Sequence, residues 1–160
     1  MNISTYSPIN NVTTLTFDIF GTVLDLAGSL IPPLNELLLR INANPSITGE
    51  AIWAHWRQRQ RIEQYQDNLL MLGHSGYLAV KRRALIYTLR SLKIDFTYDQ
   101  IDEFMQSYQK LSPFQDALDG LTRLKKRYEL VMLSNGEQWY LEHLANNQIG
   151  IEFQEIISAQ

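Results

Sequence analysis

The stretch that decides the fold is VTTLTFDIFGTV, residues 12–23. Its first six residues are mostly β-branched and alternate, which predicts a strand over residues 12–17. Gly21 and Thr22 favour a turn, so the strand is predicted to end near Asp18. An aspartate at the end of such a strand can attack a substrate and form an ester intermediate. It can equally well cap the turn, and the local pattern leaves both interpretations open.

Working outward, the hydrophobic periodicity predicts six helices and two further strands. The helices are expected at 28–41, 48–66, 75–92, 98–110, 114–127 and 137–147, and the strands at 129–133 and 153–158. Pro32 and Pro33 are tolerated near the first turn of a helix. Strands that alternate with helices imply a parallel sheet with right-handed crossovers. The helical stretch from about residue 26 to 112 is too long for one crossover and predicts an inserted helical domain.

A second polar turn, Ser134-Asn135, follows the second predicted strand. In open parallel sheets the ligand site lies beyond the carboxyl ends of the strands. Asp18 and Ser134-Asn135 are therefore expected to meet at one edge of the sheet. The alternative is that Ser134-Asn135 is a simple strand-ending turn.

Composition excludes several classes of function. The 160 residues are 45% hydrophobic and 19% charged, as in a folded globular protein. The net charge of −3 gives no general attraction to nucleic acid or to an anionic membrane, and no apolar run approaches the roughly 20 residues of a membrane span. The polar start shows no secretory signal. There is no cysteine, which excludes disulfides and thiolate metal sites and fits a cytoplasmic location.

Three short basic runs occur in the predicted helical regions, and most such runs are solvated helix faces. Only the first run is a candidate for part of a functional site. The runs are Arg57/Arg59/Arg61, Lys81-Arg82-Arg83 and Lys125-Lys126-Arg127.

Four segments resemble the haloacid dehalogenase-like superfamily, in the version found in the L-2-haloacid dehalogenases. They are FDIFGTV at 17–23, WRQ at 56–58, LTRLKKRY at 121–128 and LSNG at 133–136. The resemblance implies an α/β fold with a parallel, three-layer Rossmann-like core and an inserted all-helical cap. The core is expected to comprise residues 1–25 and 113–160, without its C-terminal part, and the cap residues 26–112.

The resemblance also implies roles for individual residues. Asp18 would attack C2 of a short 2-halocarboxylate and displace the halide, while Thr22 would orient the Asp18 carboxylate. Arg57 would pair with the halide or the substrate carboxylate, although it could be a plain surface arginine. Asn135 would donate to the halide. Ser134 would hold either the substrate carboxylate or that of Asp18.

Gln58 is a further candidate for substrate binding by the same resemblance. Phe20 is another, because phosphatases of the superfamily carry a second aspartate at this position, two residues after the nucleophile. A phenyl ring cannot protonate a leaving alcohol, whereas a halide leaves without a proton. Phe20 therefore favours dehalogenation over phosphate-ester hydrolysis, unless it is merely core packing. No metal site and no cofactor are expected, and magnesium would be needed only by a phosphatase.

The resemblance further implies a lysine near a proline and a later strand that ends in acidic residues, and neither occurs in these 160 residues. We therefore expect slow or absent turnover. A catalytically incomplete homologue that acts in binding or assembly is the alternative, and a phosphatase a weaker one. Without the later strand the first strand is an open edge, which predicts a homo-oligomer, a complementing chain that covers it, or a fragment of a longer protein.

Overall fold

The structure, a computed structural model, describes residues 11–69, 73 and 75–159. A short 3-10 helix, Gln106–Lys110, continues the fourth α-helix, and a π-helical turn, Ala145–Ile149, continues the sixth. The remaining elements are, in chain order, β1 Thr14–Phe17, α1 Leu26–Arg40, α2 Gly49–Leu69, α3 Tyr77–Ser91, α4 Tyr98–Met105, α5 Gln115–Leu124, β2 Glu129–Ser134, α6 Gln138–Leu144 and β3 Glu155–Ser158.

The predicted order of strands and helices is confirmed, and the differences lie at element ends. Helix α1 begins two residues earlier than expected because the Asp25 carboxylate accepts a hydrogen bond from the backbone N–H of Gly28 at 2.9 Å and caps the helix. Pro32 and Pro33 consequently lie inside α1 and not in its first turn. The helix expected at 98–110 changes to 3-10 geometry at Gln106.

The three strands form a parallel sheet in the order β1-β2-β3, as the alternation of strands and helices predicted. Phe17 pairs with Met132, and Ser134 pairs with Ser158, so β1 and β2 end at the same side of the sheet. Among the described residues β1 pairs with β2 alone and is an edge strand. Its outer backbone groups are therefore available to another strand.

Side chains alternate across the sheet, and the two faces differ in burial. On one face Leu130 and Met132 are buried in the hydrophobic core. The other face carries Thr16, Leu133 and Ile157, which are exposed, Leu133 to 43% and Ile157 to 37%. No helix in the described part of the chain covers this second face completely.

The helical insertion has a core of its own that continues into the α/β part. Trp56 on α2 is fully buried, packs edge-on against Phe104 and Tyr108, and donates a hydrogen bond from Nε1 to the backbone oxygen of Lys81 at 2.9 Å. The two ends of the insertion are tied together at its base. There the N–H of Asp25 donates to the oxygen of Ser112 at 2.8 Å, and the N–H of Phe114 to the oxygen of Val23 at 2.9 Å.

Candidate active site

Asp18 follows the last residue of β1 and heads a tight turn. The N–H groups of Val23 and Leu24 both donate to the oxygen of Ile19, at 3.0 and 2.9 Å, and Gly21 supplies the positive φ of 85° that the turn needs. The turn brings Thr22 back over Asp18, where its hydroxyl donates to Oδ2 of Asp18 at 3.0 Å. The Asp18 carboxylate stays exposed.

Ser134, the last residue of β2, holds the other oxygen of the same carboxylate. Its hydroxyl donates to Oδ1 of Asp18 at 2.7 Å and accepts from the N–H of Ile19 at 3.4 Å. Ser134 is 3% exposed, so this contact is fixed by the surrounding core. Asn135 comes directly after it and is exposed. Of the two partners considered for Ser134, the geometry pairs it with Asp18, and each carboxylate oxygen thus has its own hydroxyl donor.

Phe20 joins the turn to the helical insertion through aromatic contacts. Its ring stacks on Tyr77 with 4.2 Å between centroids and lies 5.9 Å from Tyr140. Gly136 leaves room for this stack, because a Cβ there would meet the Phe20 ring at 3.3 Å and Leu141 at 3.0 Å. Phe20 is half-buried, so it packs against the core and keeps part of its surface exposed, two residues after Asp18.

Arg57 approaches the same aromatic group from α2. It is half-buried, donates from Nη1 to Oε1 of Gln60 at 2.9 Å, and lies 5.5 Å from the centre of the Trp53 ring. Burial raises the pKa of Tyr77 well above its usual value, and the charges of Arg57 and Asp18 also act on that pKa, Arg57 to lower it and Asp18 to raise it. Arg57 and Asp18 are thus both within electrostatic reach of one buried phenol.

The structure does not bring Gln58 to this cluster. Gln58 is exposed and borders a shallow surface groove with Ile62 and Tyr87. Adjacent helix residues point about 100° apart, so Arg57 and Gln58 face different directions. The inward glutamine is Gln60, which is fully buried against Arg57.

Sequence reasoning missed four side chains that border this region: Gln60, Tyr77, Lys81 and Tyr108. Tyr77, Tyr108 and Tyr140 form a buried phenol cluster, and burial raises the pKa of each. Lys81 is 2% exposed, which corrects the expectation that its basic run is a solvated helix face. The spacing of Tyr77 and Lys81, four residues apart, was the available signal, because such residues share one face of a helix.

The arrangement can support nucleophilic chemistry. An exposed carboxylate is held by two hydroxyl donors, and its charge acts on the same buried phenol, Tyr77, as a guanidinium that has no carboxylate partner among the described residues. In that same part of the chain no cluster of three or more His, Asp or Glu side chains could hold a metal ion. No helix within it has both the length and the hydropathy to cross a membrane.

Sequence comparison with known proteins finds similar haloacid dehalogenases. (S)-2-Haloacid dehalogenase 4A of Burkholderia cepacia is 27% identical over 135 residues, which cover 84% of this chain and 54% of that protein. (S)-2-Haloacid dehalogenase of Xanthobacter autotrophicus is 31% identical over 145 residues, 90% of this chain and 53% of that protein.

The structural comparison agrees with these relatives. The structure of L-2-haloacid dehalogenase from Xanthobacter autotrophicus superposes with a TM-score of 0.75 and 28% identity, over 92% of this chain and 56% of that one. The chain therefore spans about half the length of the relatives it matches. No protein-family model matches the chain.

Proposed function

We propose, for a chain homologous over most of its length to the L-2-haloacid dehalogenases of the haloacid dehalogenase-like superfamily, that it carries the nucleophile and the cap arginine of a 2-haloacid dehalogenase site. Asp18 is the proposed nucleophile, with Thr22 and Ser134 as its positioning residues. Arg57 and Asn135 are the proposed binding groups for the halide and the substrate carboxylate, and Phe20 is the apolar wall beside the reacting carbon.

The proposed step is a displacement at carbon. One oxygen of the Asp18 carboxylate attacks C2 of a 2-halocarboxylate, the carbon–halogen bond breaks, and the halide leaves with the bonding electron pair. The product is an ester between Asp18 and the substrate, which water then hydrolyses to a 2-hydroxy acid and the free carboxylate. Because Thr22 and Ser134 fix the carboxylate before attack, little ordering is needed to reach the reactive geometry.

One observation carries the proposal: each oxygen of Asp18 accepts a hydroxyl hydrogen bond while the residue stays exposed. A turn-capping aspartate would accept from backbone N–H groups of its own turn. Phe20 also argues against phosphate-ester hydrolysis, because it cannot protonate a leaving alcohol.

Intact-mass spectrometry after incubation with 2-chloropropionate tests this function. We expect one adduct with the mass of the substrate less its halide, localised to Asp18, and its loss in Asp18→Asn. Asp25→Asn is the matched control, since Asp25 is the helix-capping aspartate nearby. No adduct on the native chain, or an adduct that survives Asp18→Asn, contradicts the proposal. A halide-release assay then measures how far turnover proceeds.

The division of the chain is proposed as core residues 1–25 and 113–160 with a helical cap at 26–112. Support comes from the two backbone hydrogen bonds at the base of the insertion, Asp25 to Ser112 and Phe114 to Val23, which bring the chain back to its point of departure. The site residues then come from both parts. Asp18 and Ser134 belong to the core, and Arg57 belongs to the cap.

The surroundings of the chain are proposed from its sheet and its composition. The free edge of β1 supports a strand from a second copy or from a complementing chain as its neighbour. A monodisperse monomer in light scattering would contradict association through this edge. The absence of cysteine supports a cytoplasmic location.

A further inference from the structure

Three arginines on α2 and α3 form ion pairs with carboxylates. Arg59 donates to Glu63 at 2.6 and 2.8 Å, and Arg83 reaches the other oxygen of Glu63 at 3.2 Å. Arg82 pairs with Asp102 at 2.6 Å. Water screens the Arg82–Asp102 pair, which is largely exposed, whereas Glu63 is buried and its pairs with Arg59 and Arg83 are only partly exposed.

Lys81 contrasts with its neighbours in the same basic run. It is 2% exposed, and its Nζ lies 4.3 Å from the centre of the Tyr77 ring. Within the described residues it has no carboxylate partner, and neither has Arg57. Burial, and then the nearby charge of Arg57, lower the pKa of Lys81 from 10.5 to about 7.

The third member of the group is Gln60, which is fully buried. Its Oε1 already accepts from Arg57, while its Nε2 has no partner within hydrogen-bond distance in the described part of the chain, although the Gln60 side chain acts on the buried Tyr108 hydroxyl and lowers its pKa. Buried polar groups are almost always paired, so an orphaned donor next to unpaired cations calls for an acceptor. We call Arg57, Gln60 and Lys81 the donor cluster. These residues carry N–H donors, and no negatively charged acceptor pairs with them in the described part of the chain.

Within the donor cluster, Lys81 lies apart from the point of attack. Phe20 stacks on one face of Tyr77 at 4.2 Å, which leaves no room on that face, so the Lys81 amine at 4.3 Å must occupy the opposite face. The Tyr77 ring therefore stands between Phe20 and Lys81. An anion held by Lys81 would belong to a part of the ligand that is remote from the carbon attacked by Asp18.

We propose that Gln60 and Lys81, with the Arg57 guanidinium shared between them and the halide, bind a second carboxylate on the substrate, so that the site prefers a 2-halodicarboxylate to a 2-halomonocarboxylate. The inference rests on the proposed function and names its substrate class. A buried ammonium without a counterion destabilises a protein, and a bound carboxylate removes this cost by supplying the missing charge and acceptors.

Isothermal titration calorimetry with unreactive anions tests the donor cluster without requiring turnover. The probes are glutarate, which has two carboxylates, and butyrate, which has one. We expect the native chain to bind glutarate about tenfold or more tightly than butyrate, a ratio typical of one additional charged hydrogen bond. Lys81→Met is expected to abolish the preference, and Lys81→Arg to retain part of it. The control is Lys126→Met, at an exposed lysine after α5.

The outcomes separate this inference from the proposed function. Equal binding of both anions by the native chain, no binding of either, or a preference that survives Lys81→Met overturns the donor cluster as an anion site. An Asp18 adduct with 2-chloropropionate that forms equally well in Lys81→Met leaves the proposed function standing. Should Lys81→Met fail to fold, the native chain still decides: glutarate binding must be tighter at about pH 6 than at about pH 8, because the amine gains its proton near neutrality.

Discussion

The helical insertion and the sheet differ in how their apolar side chains reach the core. In the insertion Trp56, Leu30 and Leu85 have no exposed surface, and α2 packs along α3. In the sheet β2 is largely buried, while β1 and β3 alternate between exposed and half-buried residues. The insertion thus buries one side of its helices in the shared core and exposes side chains such as Leu39 and Tyr65 on the other, whereas the described sheet leaves both edge strands and much of one face open.

The two parts of the molecule therefore contribute differently to stability and to chemistry. Hydrophobic burial stabilises the insertion, which can therefore tolerate an unfavourable buried group such as Lys81. Asp18 and Ser134 meet at the strand ends of the sheet, and Phe20, two residues after Asp18, stacks on Tyr77 of the insertion. A catalytic group must stay accessible, and the exposed end of an edge strand provides that access.

The largest expected effect tests whether the insertion dominates stability. Trp56→Ala removes a fully buried ring and its hydrogen bond, and should lower the free energy of unfolding by about 3–5 kcal/mol. Trp139→Ala is the matched control, because Trp139 is 56% exposed, and should cost less than about 1 kcal/mol. Urea denaturation measures both. Similar losses for the two variants would break the comparison.

Much of the fold could be predicted because its signals are local. β-Branched residues followed by Gly21 define the end of β1, and the period of apolar residues defines the helices. The contact between Thr22 and Asp18 was also predictable, because a tight turn brings residues four apart together. The pairing of Ser134 with Asp18 was one of two stated options, and the parallel sheet geometry selected it.

The donor cluster could not be predicted, because burial depends on which helix face meets which neighbour. Lys81, Arg82 and Arg83 are consecutive and equally basic, yet α3 turns Lys81 inward and the two arginines toward carboxylates. Gln58 and Gln60 present the same difficulty on α2, since both follow Trp56 closely and the packing decides which one is buried. A helix phase error of two residues, about 200°, exchanges this pair.

A smaller effect concerns how burial of the Lys81 amine changes the free energy of unfolding with pH. Its pKa of about 7 in the folded chain lies below the usual 10.5, so between these values the unfolded chain binds one more proton. The free energy of unfolding should therefore rise with pH, by about 2–3 kcal/mol between about pH 7 and pH 9. Tyr77, Tyr108 and Tyr140, whose pKa values are raised by burial, keep their protons in this window and do not oppose the trend.

Lys81→Met should remove this rise, and it should be at least as stable as the native chain near neutral pH. Lys126→Met, at an exposed lysine, should preserve the rise. Urea denaturation across the pH window checks both variants. A native chain whose stability is flat over this range would show that the Lys81 amine is not buried as an uncompensated charge.

The smallest expected effect compares substitutions on the two faces of the sheet. Leu133 and Met132 are neighbours on β2 but point to opposite faces, and Leu133 is 43% exposed whereas Met132 has no exposure. Leu133→Thr should change the free energy of unfolding by less than about 0.5 kcal/mol, while the matched Met132→Thr should cost about 2 kcal/mol or more. If Leu133→Thr costs as much as Met132→Thr, the open face is covered in solution. Repeating the measurement at two protein concentrations then identifies the cover, because a cost that grows with concentration requires a second copy of the chain.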